Sequence, residues 1–331
     1  MKRVVIIYSD DDWHEEIPFG KEKSSDIATR QANEKLYQQG LSQGLEFYRA
    51  ELKWFNDSTN CFDRAWTFVD GNWVKINQPI CPDVIYDKTK GVYDYLDYDL
   101  KVKINGKIPI FNHPQFQTLL SDKLNQYLIF GEWIPRTKFI ADEEAFYNYI
   151  DKYEAESKLV IKPTQGSGGD GVVIDSVVNL KEKHVNYPIL VQDYVEASGI
   201  PGISENGELA DLRLNYFNHK PVFALSRVAA KDSLLTNISQ GAEAKQVALS
   251  DIPEIVWLTA EKIVEKLKVF GDRTHYSLDF IFSENGEPVM LEMNTKPGFG
   301  LIFLLTGDKE RKEYFNHLIV ELKNLADKKR V

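Results

Sequence analysis

The sequence predicts an α/β chain with α+β character: an open α/β domain at the N-terminus, then two smaller α+β units. Three observations carry this. At 331 residues the chain is about twice the usual domain size, so two or three packed units are expected. Short β-branched runs such as Val4-Val5-Ile6-Ile7-Tyr8 and Leu159-Val160-Ile161 alternate with stretches of helical periodicity. Hydrophobic residues make up 43%, with 6 Trp, 16 Tyr and 18 Phe, enough to bury real cores and to exclude a largely disordered chain.

Val4 to Tyr8 breaks into Asp10-Asp11-Asp12-Trp13-His14-Glu15-Glu16, which reads as a buried parallel strand whose carboxyl end opens on a polar loop. Ligands collect at such ends in open α/β sheets. Residues 26–50 carry a helical pattern ending in glycine-containing turns, and Asp83-Val84-Ile85-Tyr86-Asp87 is a second short strand, giving a first unit of 1–111. Helix-forming residues around Asp122 and Lys123 stop at Trp133-Ile134-Pro135. A helix at 142–153 then leads to the strand Leu159 to Pro163, a glycine-rich loop and the strand Val172-Val173-Ile174, a second unit of 112–188. In the third, 189–331, Pro188 to Val195 starts as a strand and turns polar, and 212–230 forms two strands around Asn218-His219-Lys220. Asp251, Pro253 and Glu254 make a capping-box-like start for a helix over 254–269, and a hairpin over 276–294 precedes a C-terminal helix.

Forty basic against fifty acidic residues leave a net charge of −10, which disfavours a nucleic-acid partner. No apolar run approaches the roughly 18 residues of a membrane span, and the N-terminus has neither the apolar region nor the cleavage site of a secretory signal. A cytoplasmic chain is expected. Cys61 and Cys81 have no metal-type spacing with the histidines and are expected as two ordinary thiols rather than a bridge.

The hairpin gives the sharpest chemical inference. Asn285-Gly286 signals a two-residue turn, so that paired positions sum to a constant and Asp279 falls opposite Glu292, Phe280 opposite Leu291 and Phe282 opposite Val289. Leu278, Phe280, Phe282, Val289, Leu291 and Met293 then share the core face, and Asp279, Glu292 and Asn294 the other. Two opposed carboxylates repel, so something positive should lie between them. Three oxygen donors with room for water and phosphate suit Mg²⁺, although a solvated polar face accounts for the hairpin alone equally well.

The loop Gly166-Ser167-Gly168-Gly169-Asp170-Gly171 lets backbone N–H groups approach phosphate oxygens, with Lys162 behind it as a point charge. It is not a P-loop, because no Gly-Lys-Ser/Thr follows and the next element is a strand. For the loop alone a plain hairpin tip is the better account; with the lysine and the acidic hairpin, a phosphate-covering flap is.

In this order, Lys123, Lys162-Pro163 with the flap, Val191 to Val195, Asp211-Leu212-Arg213, Arg227, Asn237 with Gly241, Asp279 and Glu292-Met293-Asn294, the chain resembles ATP-grasp ligases over about residues 112–305. The nearest likeness is to ribosomal-protein glutamate ligases, glutathione synthetases and peptide-modifying relatives. The resemblance implies an ATP-grasp fold in which two α+β units sandwich ATP. It implies that Lys123 and Lys162 meet phosphates under Gly166, Ser167 and Gly168. Gln192, Asp193, Tyr194 and Val195 would read adenine, with Asp211 and Asn237 close to the nucleotide. Arg213 and Arg227 would face the transferred phosphoryl group, and Asp279, Glu292 and Asn294 would hold Mg²⁺, two ions being expected and Mn²⁺ an alternative. The segment from Ala197 to Leu209 is longer than in the glutamate ligases, and a lysine, Lys296, stands where relatives often have a small residue.

The implied activity is ATP-dependent joining of a carboxylate to an amine, an amino acid or peptide, through an acyl phosphate with release of ADP and phosphate. Peptide ester or amide cross-linking is the alternative within the family, and a nucleotide-binding module without turnover the alternative outside it. A homo-oligomer is compatible with either. Substrate choice is expected in the first unit, where the acids at 10–16 form either a cation-binding loop or, as acidic runs usually do, a solvated one.

Overall fold

A computed structural model describes residues 1–20, 24–90, 93–166, 168–204, 208–231, 233–238 and 241–328. Ser167 therefore lies outside the described residues. Val4, Val5, Ile6 and Ile7 are all fully buried, as a central parallel strand with both faces covered requires. That strand, Lys2–Tyr8, pairs in parallel with Leu45–Glu51 on one side and Val84–Asp87 on the other. Ile110–Phe111 extends the parallel side, and the antiparallel hairpin Ala65–Val69 and Asn72–Ile76 extends the other. The helix read over 26–50 is Ser24–Ser42 only; residues 45–51 are the second strand, because the apolar alternation from Leu45 to Ala50 outweighs the helical pattern before it.

Cys61 and Cys81 are joined by a disulfide, correcting the expectation of two thiols. Their positions explain why. Cys61 lies in the short strand Cys61–Phe62, and Phe62 bridges to Ile80, which brings the neighbouring Cys81 alongside. No sequence spacing reveals that contact.

The central sheet has the order Val173–Ser176, Lys158–Pro163, Ile189–Asp193, Thr137–Ile140, all antiparallel. Ile189–Asp193, placed by the sequence reading in the third unit, is thus an inner strand of this sheet. The third sheet runs Ala197–Ser198, His275–Ser283, Ala210–Phe217, Lys220–Val228, Glu243–Val247, with Pro288–Asn294 also on His275–Ser283. Helix Glu254–Leu267 begins without the expected capping box: Pro253 occupies the cap and no side chain accepts there.

Two apolar cores set the geometry of the site. One contains Leu159, Ile161 and Val191 of the central sheet and Phe146 of the helix Glu143–Ile150 that covers it, and includes no residue of the other two sheets. The other joins Val4, Ile6 and Phe47 of the first sheet to Phe223 and Leu225 of the third and to Phe315, Leu318 and Leu322 of the helix Asp308–Asp327. Asn112 closes the same seam: its side chain donates to the His275 and Thr295 carbonyls at 2.7 and 2.6 Å and accepts from the His275 N–H at 2.7 Å.

Candidate active site

A cleft of about 930 Å³ opens between the central and third sheets. Its walls are apolar where strands face it: Val160, Val172 and Ile174 from one sheet, Ile281 and Leu291 from the other. Ile281 shares a strand face with Asp279, which the sequence already implies; the other wall residues carry no sign of their own in the sequence. Asp193, Tyr194 and Val195 line the edge of the cleft where the strand Ile189–Asp193 ends.

Lys162 and Lys123 enter the cleft from the central sheet and from the helix Lys123–Phe130. Lys162 donates to Gln192 Oε1 at 2.7 Å, and Gln192 donates onward to Thr137. Burial pushes the Lys162 amine down to about 8, with Lys123 acting the same way and Glu292 opposing. Lys123 donates to the Gly166 carbonyl at 2.7 Å, fastening the base of the glycine loop. Asn237 stands against the same loop, and Gly169, with φ near +82°, has no room for a Cβ beside its amide oxygen. Gly168, also at positive φ, is in the loop but not in the cleft wall.

Opposite lies a charged centre. Arg213 grips Asp279 through two bonds, 2.7 and 2.6 Å, and Arg227 grips Asp211 through two, 2.8 and 2.6 Å, while also reaching Asp279 at 2.8 Å. Asp279, Asp211 and Arg227 line the cleft; Arg213 does not. The positive charge expected beside the paired carboxylates is thus these two arginines. Burial raises the Asp279 carboxyl, but Arg213 and Arg227 outweigh it and hold it below the ordinary value. Asp211, buried and beside a second carboxylate, is left raised despite Arg227.

The hairpin corrects one part of the register and keeps another. Ser283 and Glu287 close a three-residue loop with Gly286 at φ near +78°, not a two-residue turn, so Phe280 pairs with Met290 and Phe282 with Pro288. A bulge at Leu291 absorbs the offset, and Asp279 faces Glu292 as expected. Met290 takes the core place assigned to Leu291, and Val289 is only half-buried, because the longer loop shifts the strand by one residue. The bulge leaves Leu291 and Glu292 both on the cleft side.

Glu292 presents its carboxylate there beside Asp279, whose two oxygens already accept from Arg213 and Arg227, and Asn294 donates to Glu292 Oε1 at 3.2 Å, leaving its own amide oxygen as a donor atom. Hard oxygens of this kind fit Mg²⁺. Asn294 lines a second pocket of about 550 Å³, which shares Lys123, Gly166 and Glu292 with the cleft. Its far wall comes from the loop after Val84–Asp87 and the loop after the hairpin. There Lys88, 5% exposed, donates to the Pro297 carbonyl at 2.8 Å, and Lys296 donates to the Thr89 carbonyl, a reciprocal clamp. The acids at 10–16 are held elsewhere: Asp10 and Asp12 bind the buried Arg49 at 2.9 and 2.7 Å, and His14 is exposed beside Glu15. No helix of the described residues is long and apolar enough to cross a membrane.

A RimK-like ATP-grasp domain matches residues 122–308. A probable alpha-L-glutamate ligase of Saccharophagus degradans is 30% identical over 174 residues, 51% of this chain and 52% of that protein. The chain spans about half the length of the curated relatives it matches. Among solved structures, D-alanyl-alanine synthetase A from Vibrio cholerae is similar over 99% of both chains, with a TM-score of 0.64 at 15% identity. The ATP-grasp ligase PsnB, complexed with a minimal precursor, is similar over 96% of this chain and 99% of that one, with a TM-score of 0.54 at 14% identity.

Proposed function

The chain belongs to the RimK-like ATP-grasp family, and from that premise we propose that it is an ADP-forming carboxylate–amine ligase making an amide bond through an acyl phosphate. The observation that carries this reading is the Arg213–Asp279–Arg227–Asp211 centre lying across a cleft from Lys162, Lys123 and a glycine loop. A cleft that only stored a nucleotide would not need Arg227 in its wall with Arg213 behind it on Asp279.

Carboxylate is a poor electrophile, because attack must displace an oxide. In the proposed reaction a carboxylate oxygen attacks the γ-phosphorus of ATP, the bond to the β,γ-bridging oxygen breaks, and ADP leaves with the electron pair. The amine then attacks the acyl carbon; the acyl–oxygen bond breaks, phosphate departs and the amine gives up a proton. Negative charge concentrates on the transferring group; Lys162, Lys123 and Arg227 stabilise it, and Arg213 acts from behind through Asp279. Asp193, Tyr194 and Val195 seat adenine between the apolar walls, and the glycine loop shields the acyl phosphate from water. Asp279, Glu292 and Asn294 would hold Mg²⁺, which would supply charge to offset that of the phosphates. Two ions are proposed, with Mn²⁺ as a substitute.

The test is ADP release across a panel of carboxylates and amines, with mass spectrometry of the condensed product. ADP formation that depends on both partners supports the reading. Nucleotide binding without carboxylate-dependent ADP release overturns it.

A further inference from the structure

We propose that the pocket beside the nucleotide cleft receives the carboxylate substrate, and that this substrate carries a second anionic group, held by Lys90 in a field to which Lys296 contributes. The inference rests on the ligase reading.

Position comes first. The strand Lys2–Tyr8 has a parallel neighbour on each side, reached in opposite directions, so the order of the first sheet reverses between it and Val84–Asp87. The crevice outside the carboxyl ends of such a strand pair is where open α/β sheets take ligands. Lys90 lies in that crevice, exposed, with its backbone N–H on the Ser9 hydroxyl at 3.3 Å, so the loop carrying it is tied to the end of the first strand. The pocket it lines shares Lys123, Gly166 and Glu292 with the nucleotide cleft, so a molecule in it can present one end to the transferring phosphoryl group.

Charge comes second. The charged residues lining the pocket are Lys90, Lys123, Lys296 and Glu292. Lys123 and Glu292 belong to the shared edge and serve the phosphates and the metal. Lys90 and Lys296 stand on the far wall, beyond what the reacting carboxylate needs. Nearby acids are already matched: Asp87 by Lys101 at 2.9 Å, with Lys296 also acting on it, and Asp10 and Asp12 by Arg49, which leaves Lys90 as the cation of this wall that faces no acid among the described residues. The Lys88–Pro297 and Lys296–Thr89 clamp fixes both loops of this wall, so its positive field has a set place. A substrate with a single carboxylate leaves Lys90 unanswered; one with a second carboxylate or a phosphate answers it.

The experiment uses the full chain with MgATP and hydroxylamine in place of the amine, so that the acyl phosphate is trapped as a hydroxamate with release of phosphate. Alanine, glutamate, phosphoserine, alanyl-alanine and alanyl-glutamate are compared. At least a tenfold higher kcat/KM for acids bearing a second anion supports the proposal, and whether glutamate or phosphoserine leads identifies that anion. Lys90→Met should raise KM for the preferred acid tenfold or more at unchanged MgATP affinity, and Lys90→Arg should restore it. Equal kcat/KM for alanine and the doubly anionic acids, or a KM indifferent to Lys90→Met, overturns the proposal and leaves the ligase reading standing. Absence of hydroxamate and ADP with every acid overturns the ligase reading itself.

Discussion

Asp279 accepts from two guanidiniums at once, so neither arginine can be replaced by charge alone. Arg213→Lys keeps the cation but loses the planar fork that spans both carboxylate oxygens. We expect near-normal MgATP affinity by calorimetry and loss of most single-turnover ADP formation; a wild-type single-turnover rate would leave Arg213 a scaffold residue and move the burden to Arg227. Lys162 gives a pH-dependent expectation. Its amine sits near 8 against an ordinary 10.5, so between those values the unfolded chain binds more protons than the folded one, and the stability cost of this lysine fades as pH rises. Phosphate beside it would raise that value again. MgATP binding near pH 8 to 9 should therefore take up a proton, seen as a binding enthalpy that varies with the buffer. Lys162→Ala should abolish the uptake and weaken ATP far more than adenosine; equal loss for both ligands makes Lys162 structural. The residue types at this centre were legible in sequence, because the reaction demands cations and hard oxygens in a recurring order. Their pairing was not. Which carboxylate each arginine grips depends on strand neighbours such as Arg213 and Asp279, 66 positions apart.

The hairpin shows where sequence reasoning succeeds for an incomplete reason. Asn285-Gly286 correctly announced a tight reversal, and Asp279 does face Glu292, yet the loop is one residue longer than the dipeptide suggests and the bulge at Leu291 returns the offset. Two displacements cancel at the residues that matter. Nothing in the local pattern distinguishes a bulge from a slipped strand, since Leu291 suits either face. The turn expected at Asn218-His219-Lys220 lies there, with Asn218 and His219 at positive φ and Lys220 opening the next strand, and this hairpin too carries a bulge, opposite the step from Asn215 to Tyr216. Deleting Leu291 should leave a regular hairpin with Met290 and Met293 still inward and Glu292 still opposite Asp279. The melting temperature should then change by only a few degrees, while adenosine affinity falls because an apolar wall residue is gone. A collapse of the fold instead would show that the bulge is a structural requirement of the sheet.

Across the molecule, the first and third sheets share an apolar core through the helix Asp308–Asp327, whereas the central sheet keeps its own. The succession of strand and helix patterns divides the chain into three units but does not reveal that Leu318, deep in the last helix, packs with Val4 and Ile6 at the start. Leu318→Ala should cost about 2–5 kcal/mol in denaturant unfolding and loosen both sheets in one transition, while hydrogen exchange in 137–193 stays near wild type. Uniform loss of protection across all three sheets would show a single cooperative body. The central sheet is joined to the rest where Thr137–Ile140 begins and Ile189–Asp193 ends, and these two strands are neighbours. Asp193 N–H donates to the Arg136 carbonyl at 2.9 Å, and the Arg136 guanidinium returns to the Asp193 carboxylate at 3.0 Å. Two ties hold this sheet to its base, the Arg136–Asp193 seam and the bonds from the Lys123 N–H and amine to the Thr164 and Gly166 carbonyls, so it can swing like a page about the first only when the second lets go. Residues near the seam, Tyr194 among them, then barely move, while the glycine loop at the far margin sweeps the widest arc.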